Sequence, residues 1–367
     1  MCVVAAAVAV ALGISGRDDN GAVSAGAAKA LPEARADNRA TVLFRSLGHS
    51  GQVVIAPAAQ PDAKQTLTGL HCDRVYFAGG RGLCLKRGGG FAAGYRAEVF
   101  GPDLKVSHAL GVTGIPSRAR VSPDGRYGAV TLFVSGHAYA DPGAFSTQTT
   151  LIDMATGAKI ADLEQFTVFR GSKQVTAVDV NYWGVTFGRD SDRFYATLAT
   201  GGKTYLIEGS VRERRAHVIH ENVECPSLSP DGTRIAYKKR TGSASAPWHV
   251  TVLDLATMRE TPISDARSVD DQVEWLDDAH VLYGVDGAVW KANADGSGEA
   301  QRYIARADSP AAVRWSAPPR APASLTGCRR TTQRLLVREV LRSLPFASAR
   351  SFMRLATRPL GSVQRAR

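Results

Sequence analysis

The chain has 367 residues, enough for two ordinary domains or one large repetitive β domain. Its 36 glycines and 22% charged residues describe a globular protein rather than a disordered one. The net charge of +11 does not describe a nucleic-acid-binding surface: residues 318–367 hold eleven Arg and a single acidic residue, Glu339, so +10 belongs to that segment and about +1 is left for residues 1–317.

In chain order, the first feature is the apolar run Val3–Ile14, VVAAAVAVALGI. It is too short to span a bilayer and suits the hydrophobic core of a signal peptide, or part of an anchor. Small-residue sites such as Ala25-Gly26-Ala27 follow, within a polar, Gly/Ala-rich linker over Arg17–Asp37. Residues 1–39 are therefore expected to be a leader or anchor plus linker, 40–317 the folded body, and 318–367 a basic, Arg-rich tail, partly helical or disordered.

The body is written in repeats. Ser122-Pro123-Asp124-Gly125 and Ser229-Pro230-Asp231-Gly232 each join two short runs of apolar and β-branched residues. Pro presets φ, Asp bonds back to the backbone and Gly accepts positive φ, so each joins two antiparallel strands. Around them a four-strand meander recurs over residues 72–110, 118–163, 183–220, 224–263 and 272–304. Gly79-Gly80, Gly188-Arg189-Asp190-Ser191 and Asp277-Asp278 take the turn position in the other units. Two fragments remain: AAVRW (Ala311–Trp315), a first strand without companions, and Ala40–Leu70, strands two to four without a first. Joined, they complete a sixth unit. The expectation is an all-β, six-bladed β-propeller whose closing blade is split between a C-terminal strand and N-terminal strands, which removes the open sheet edges at the ring junction.

These S-P-D-G repeats resemble the TolB-like family of bacterial propeller repeats over about Ala40–Trp315. The resemblance implies a WD40-like repeat ring in a protein exported to the cell envelope. The family's namesake carries an α/β domain ahead of its propeller that serves an envelope partner; only the leader and linker precede Ala40 here, so a single-propeller member is expected. No counterpart of the hydrolase domain of propeller-capped serine peptidases is expected.

Strand alternation assigns the two faces of such a disc. The S-P-D-G turns, Ala155–Gly157 and Ala294–Gly298 share one face. The second-to-third-strand loops and blade-to-blade connections share the other. Two long connections on that long-loop face, Ser135–Gln148 and Gln165–Tyr182, bring His137, Tyr139, Asp141, Asp179, Asn181, Tyr182 and Trp183 to neighbouring positions, a mixture suited to polar-aromatic recognition. The plainer alternative is that Tyr182 and Trp183 start an inner strand and simply pack. Asp270 and Asp271 reach the same face near the channel, where paired carboxylates either serve a site or form a solvated rim.

Other motifs exclude more than they offer. Arg87–Gly94 is Gly-rich but opens no helix, so it reads as a loop rather than a phosphate cradle. No G-x-S-x-G elbow occurs, no spacing nominates a catalytic triad, and no cofactor or metal motif is legible. His217 and His220 fall on opposite faces of one strand. Among five cysteines, Cys84 faces about residue 75 in simple hairpin register, leaving Cys72 roughly 10 Å away. Buried thiols are therefore expected at Cys72, Cys84 and Cys225 unless a bulge shifts the pair. Gln333–Pro345 has the pattern of a basic amphipathic helix suited to an anionic membrane surface.

The expected function is that of an extracytoplasmic, monomeric, non-enzymatic module binding a protein or glycan partner, without nucleic acid or cofactor. Membrane-surface contact would come through the N-terminal segment or the basic tail. The alternative is a hydrolase or lyase with Asp270, Asp271 and His137 at the channel mouth.

Overall fold

The computed structural model describes residues 23–88, 94–134, 146–243 and 245–315. After helix α1 (Ala25–Ala36), strands run β1 (Thr41–Ser46), β2 (Gln52–Pro57) and β3 (Thr66–His71), the N-terminal part of blade 1. Blade 2 is β4 (Arg74–Ala78), β5 (Arg81–Arg87), β6 (Tyr95–Phe100) and β7 (Val106–Val112). Blade 3 is β8 (Ile115–Val121), β9 (Tyr127–Val134), β10 (Ser146–Asp153) and β11 (Lys159–Asp162). Two extra strands follow, β12 (Thr167–Arg170) and β13 (Lys173–Gln174), before blade 4: β14 (Asn181–Phe187), β15 (Arg193–Thr200), β16 (Lys203–Ser210) and β17 (Arg215–Glu221). Blade 5 is β18 (Glu224–Leu228), β19 (Arg234–Arg240), β20 (Trp248–Asp254) and β21 (Glu260–Pro262). Blade 6 is β22 (Glu274–Trp275), β23 (His280–Val285), β24 (Ala288–Asn293) and β25 (Gln301–Ala305), and β26 (Ala307–Ala312) returns to blade 1.

Six separate sheets result, antiparallel within each four-strand blade, the closing one ordered β26-β1-β2-β3. Val42 pairs with Ala312 and Leu43 with Ala311, and the Val313 amide donates to the Thr41 carbonyl at 2.8 Å. The six-bladed propeller with a split blade is therefore the fold. The inner strands β26, β4, β8, β14, β18 and β22 contact one another in sequence around the ring. Between blades lie apolar layers, such as Val42, Phe44, Val54, Leu282, Val289 and Ile304 between blades 1 and 6.

The turns work as their chemistry requires. In the first S-P-D-G turn, Asp124 accepts from the Ser122 hydroxyl at 2.7 Å and the Arg126 amide at 2.9 Å, while the Gly125 amide donates to the Ser122 carbonyl. Gly125 (φ +73°) also lies against Gly79 of the preceding blade, where a Cβ on either residue would collide with the other's backbone. The second turn repeats this around Asp231. Burial alone would raise the Asp231 pKa, but bonds from Ser229, Thr233 and Arg234 hold it far below the usual carboxylate range.

Three features differ from the sequence expectation. First, the linker contains α1. Ser24 caps it by accepting from the Ala27 amide at 3.1 Å, and Ala27, Leu31 and Ala34 are buried against the closing blade. Arg35 stacks over Trp315, 5.0 Å from its ring centre, so the segment before the first strand meets the segment after the last. Second, the connection Gln165–Tyr182 is not a free loop. β12 pairs in parallel with β17 and β13 pairs with β12, so blade 4 has six strands. The alternating Thr167-Val168-Phe169-Arg170 buries Val168, and Phe169 stacks on His217 at 5.5 Å. The segment thus covers the outer edge of the blade.

Third, Cys72 and Cys84 form a disulfide, with Cα atoms 5.4 Å apart. Simple register does place Cys84 opposite Val75. However, Cys72 precedes β4, in the short crossing from blade 1 to blade 2, and the chain bends back over β5 there. The Asp73 amide donates to the Leu85 carbonyl at 2.6 Å. Extended-strand arithmetic fails at a residue outside the strand. Cys225 remains a buried thiol.

The disulfide closes a short loop, with a sequence separation of 12, so its removal costs about 2–3 kcal/mol. The double variant Cys72→Ala/Cys84→Ala is expected to unfold at correspondingly lower denaturant, and dithiothreitol should shift the wild-type curve onto the variant's. Coincident wild-type curves with and without reductant would contradict this.

Candidate recognition face and channel

Alternation along the inner strands points every second side chain at the propeller axis. In β8 these are Arg118 and Arg120, both buried. Arg120 reaches across the axis. Its guanidinium pairs with Glu274 of β22, donates to the Ser227 hydroxyl of β18 at 2.8 Å and to the Val273 carbonyl at 2.6 Å, and stacks on Tyr76 of β4, 4.6 Å from the ring centre. Tyr76 donates to Glu274 at 3.3 Å, and Arg314, just past β26, lies 3.5 Å from the same carboxylate. Burial, with the Glu274 charge, pushes the Tyr76 phenol up and keeps it protonated. This cluster ties together five of the six blades and fills the middle of the channel.

Toward the long-loop face a second layer of charges surrounds the channel mouth. Asp270 accepts from Lys238 at 2.5 Å and lies 3.9 Å from Arg118, which crosses from the opposite side. Asp271 is buried and accepts from the Gly284 amide at 3.2 Å. Arg45 holds Asp308 at 2.8 Å, and Arg240 pairs with buried Glu224. Burial raises the Asp308 pKa, and neighbouring Asp271 adds to the effect against Arg45 and Arg74.

The expected site residues divide into groups. His137, Tyr139 and Asp141 lie outside the described residues, as does most of the loop following Arg87. Asp179 accepts from Thr200 at 2.6 Å and from the Gly201 amide at 2.7 Å, capping the β15–β16 turn. Asn181 accepts from the Thr147 amide at 3.0 Å and donates to the Asp179 carbonyl at 3.3 Å. Tyr182 and Trp183 are buried, and the Tyr182 carbonyl accepts from the hydroxyls of Thr147 and Thr149. These residues join blade 3 to blade 4. Burial pushes the nearby Glu164 carboxyl up to about 7, and burial with the Glu164 charge raises the Tyr182 phenol. Asp270 and Asp271 stand apart from that group, on blade 6.

Sequence reading missed Arg45, Arg118, Arg120, Lys238 and Glu274. The alternation Arg118-Ala119-Arg120 on a first strand was the available signal, since an inner strand aims one parity at the axis. It also missed two cation–aromatic pairs on the long-loop face. Trp248 lies under Lys238 at 4.6 Å and Arg240 at 5.8 Å, and Arg87 lies over Tyr95 at 5.9 Å. On the same face Ile115 is 60% and Val178 90% exposed.

Fold and channel together define a six-bladed β-propeller with a plugged polar axis. No protein-family profile matches the chain, and no curated protein matches it by sequence. Solved structures do resemble it. A chain of a nidogen/laminin complex matches with a TM-score of 0.50 and 10% identity over 74% of this chain and 98% of that one. TolB from Acinetobacter baumannii matches with a TM-score of 0.49 and 16% identity over 75% of this chain; the match spans 66% of the TolB chain, just under two thirds. A putative 6-phosphogluconolactonase from Bacteroides uniformis matches with a TM-score of 0.43 and 11% identity, over 72% of this chain and 81% of that one. At such identities the likeness shows the propeller fold. Among the described residues no helix is long and apolar enough to cross a membrane, and no group of His, Cys, Asp and Glu is arranged to hold a metal.

Arg120→Met is expected to destabilise the protein by about 3–5 kcal/mol in chemical denaturation, because it strands a buried carboxylate. Adding Glu274→Met should recover much of that loss. A single variant within about 1 kcal/mol of wild type would show that the pair does not hold the axis.

Proposed function

We propose that the protein is an exported, monomeric, non-enzymatic propeller of the bacterial cell envelope that binds a protein or glycan partner on its long-loop face. The observation that carries this reading is the asymmetry of the disc. The opposite face is built of short turns whose Asp side chains cap their own backbones, at Asp124, Asp153, Asp231, Asp254, Asp277 and Asp295. The long-loop face carries the cation–aromatic pairs, the exposed Ile115 and Val178, and the charged channel mouth, a composition that suits macromolecular recognition.

Three further observations support it. The Arg120–Glu274 cluster occupies the axis, which favours a ligand held at one face over one threaded through the disc. The carboxylates at the mouth are engaged by Lys238, Arg118, Arg45 and backbone amides, a structural arrangement rather than an acid–base pair. The buried disulfide suits an oxidising compartment outside the cytoplasm. Helix α1 meets Trp315 beside the short turn at Gly79, away from the long-loop face.

The test is binding of the full chain to purified envelope glycans and immobilised envelope proteins. Ile115→Glu/Val178→Glu should weaken binding of the responding partner by about tenfold or more without lowering Tm. Met258→Glu, at a 41% exposed position on the opposite face, should leave it unchanged. The reverse pattern would overturn the assignment of the face.

A further inference from the structure

The outer strand of a propeller blade leaves a row of backbone N–H and C=O groups unpaired, and natural sheets blunt such an edge. Among the described residues, five of the six blades do so. Blade 1 packs α1 against β3. Blade 3 ends in the four-residue β11, with Lys159 and Asp162 at its two ends. Blade 4 covers β17 with β12 and then ends in the two-residue β13. Blade 5 ends in the three-residue β21, which contains Glu260 and closes on Pro262. Blade 6 ends in β25, which carries Arg302 beside a register shift.

Blade 2 is the exception. β7 is the last strand of its sheet and runs for seven residues, Val106-Ser107-His108-Ala109-Leu110-Gly111-Val112, without Asp, Glu, Lys, Arg or Pro. From Val112 opposite Tyr95 to His108 opposite Val99 its register with β6 is unbroken. The two sides of the strand differ. His108 lies against Gly157 of blade 3, and Leu110 and Val112 pack on the apolar core. Ser107, Ala109 and Gly111 are exposed, and a Cβ built on Gly111 meets nothing within 4 Å. At strand rise the free edge is about 23 Å long.

The molecule itself shows how such an edge is filled. On blade 4, Thr167, Val168 and Phe169 lie in parallel register beside Arg215, Ala216 and His217 of β17. We propose that β7 takes a further strand in the same way from outside the chain: an extended, uncharged segment of a partner protein with bulky apolar side chains at alternate positions. The unpaired amides and carbonyls select an extended backbone, and the absence of charge along β7 favours a segment without charge. Bulky alternate side chains lie over Ala109 and Gly111, where β7 offers no bulk of its own. Pairing with β7 of a second copy sets small residues against small residues, and two single strands bury far less than the roughly 1,200 Å² of a stable interface. The edge lies on the rim of the disc, so the inference does not rest on the recognition face proposed above.

Panning a display library of random short peptides against the full chain tests the inference. The enriched peptide is synthesised and its affinity measured by isothermal titration. It should carry apolar residues at every second position. Ala109→Lys/Gly111→Lys, which places charge at two exposed positions, should weaken its binding about tenfold or more at unchanged Tm. N-methylation of one alternate set of peptide amides should abolish binding and of the other set should be tolerated, because an added strand bonds through every second residue. Val178→Glu should leave the affinity unchanged. The inference is overturned when no enriched peptide loses affinity for the Ala109→Lys/Gly111→Lys variant, or when both N-methylated sets bind. It is also overturned when the wild type forms a dimer that this variant abolishes, which assigns the edge to a second copy. Partner binding lost in Ile115→Glu/Val178→Glu, with no peptide held at β7, removes this inference and leaves the proposed function; peptide binding at β7 without a partner on the long-loop face does the reverse.

Discussion

A guanidinium and a carboxylate buried together on the propeller axis set the terms for the rest of the molecule. Arg120 and Glu274 come from strands on different blades and draw in Ser227, Tyr76 and Arg314 from three more. Desolvating such a pair contributes little net stability against an apolar alternative, but leaving either member alone is costly. The pair therefore acts as a condition on assembly: the cluster is satisfied only when the contributing blades are all in place. It also separates the two faces, so that chemistry at one mouth is not continuous with the other.

Ring closure and the axial cluster depend on each other. β26 is held to β1 by backbone pairing, and Arg314, just past β26, contacts Glu274 at the axis. α1 adds apolar contacts from the N-terminal side and meets Trp315 from the C-terminal side. The disulfide fastens the first crossing out of the closing blade. Backbone pairing, the Arg314 contact and α1 thus reinforce the one junction in the ring where the chain is not continuous, and the disulfide secures the neighbouring crossing.

Much of this architecture is legible in the sequence because propeller blades are local. The S-P-D-G turns, the period-2 strands and the orphan AAVRW all report on neighbours within about forty residues. What escaped is non-local or irregular. β26 starts at Ala307 rather than Ala311, because Ser309, at φ +49°, and Pro310 disguise its first half as a turn. β12 hides in a segment read as loop because its partner, β17, lies almost fifty residues on and pairs in parallel. The disulfide depends on a bend that strand arithmetic does not contain. At the candidate site, Tyr182 and Trp183 are buried at the start of an inner strand, whereas Arg118 and Arg120, which organise the channel, sit at inner-strand positions with no motif around them.

Closure of the ring by β26 is the claim on which axis and faces both rest, and native-state hydrogen exchange at the Leu43, Ala311 and Val313 amides tests it most directly. Protection within about 1 kcal/mol of the global unfolding free energy is the result this account predicts. Exchange at these three amides near the rate of a free peptide, with the other inner strands still protected, would contradict it.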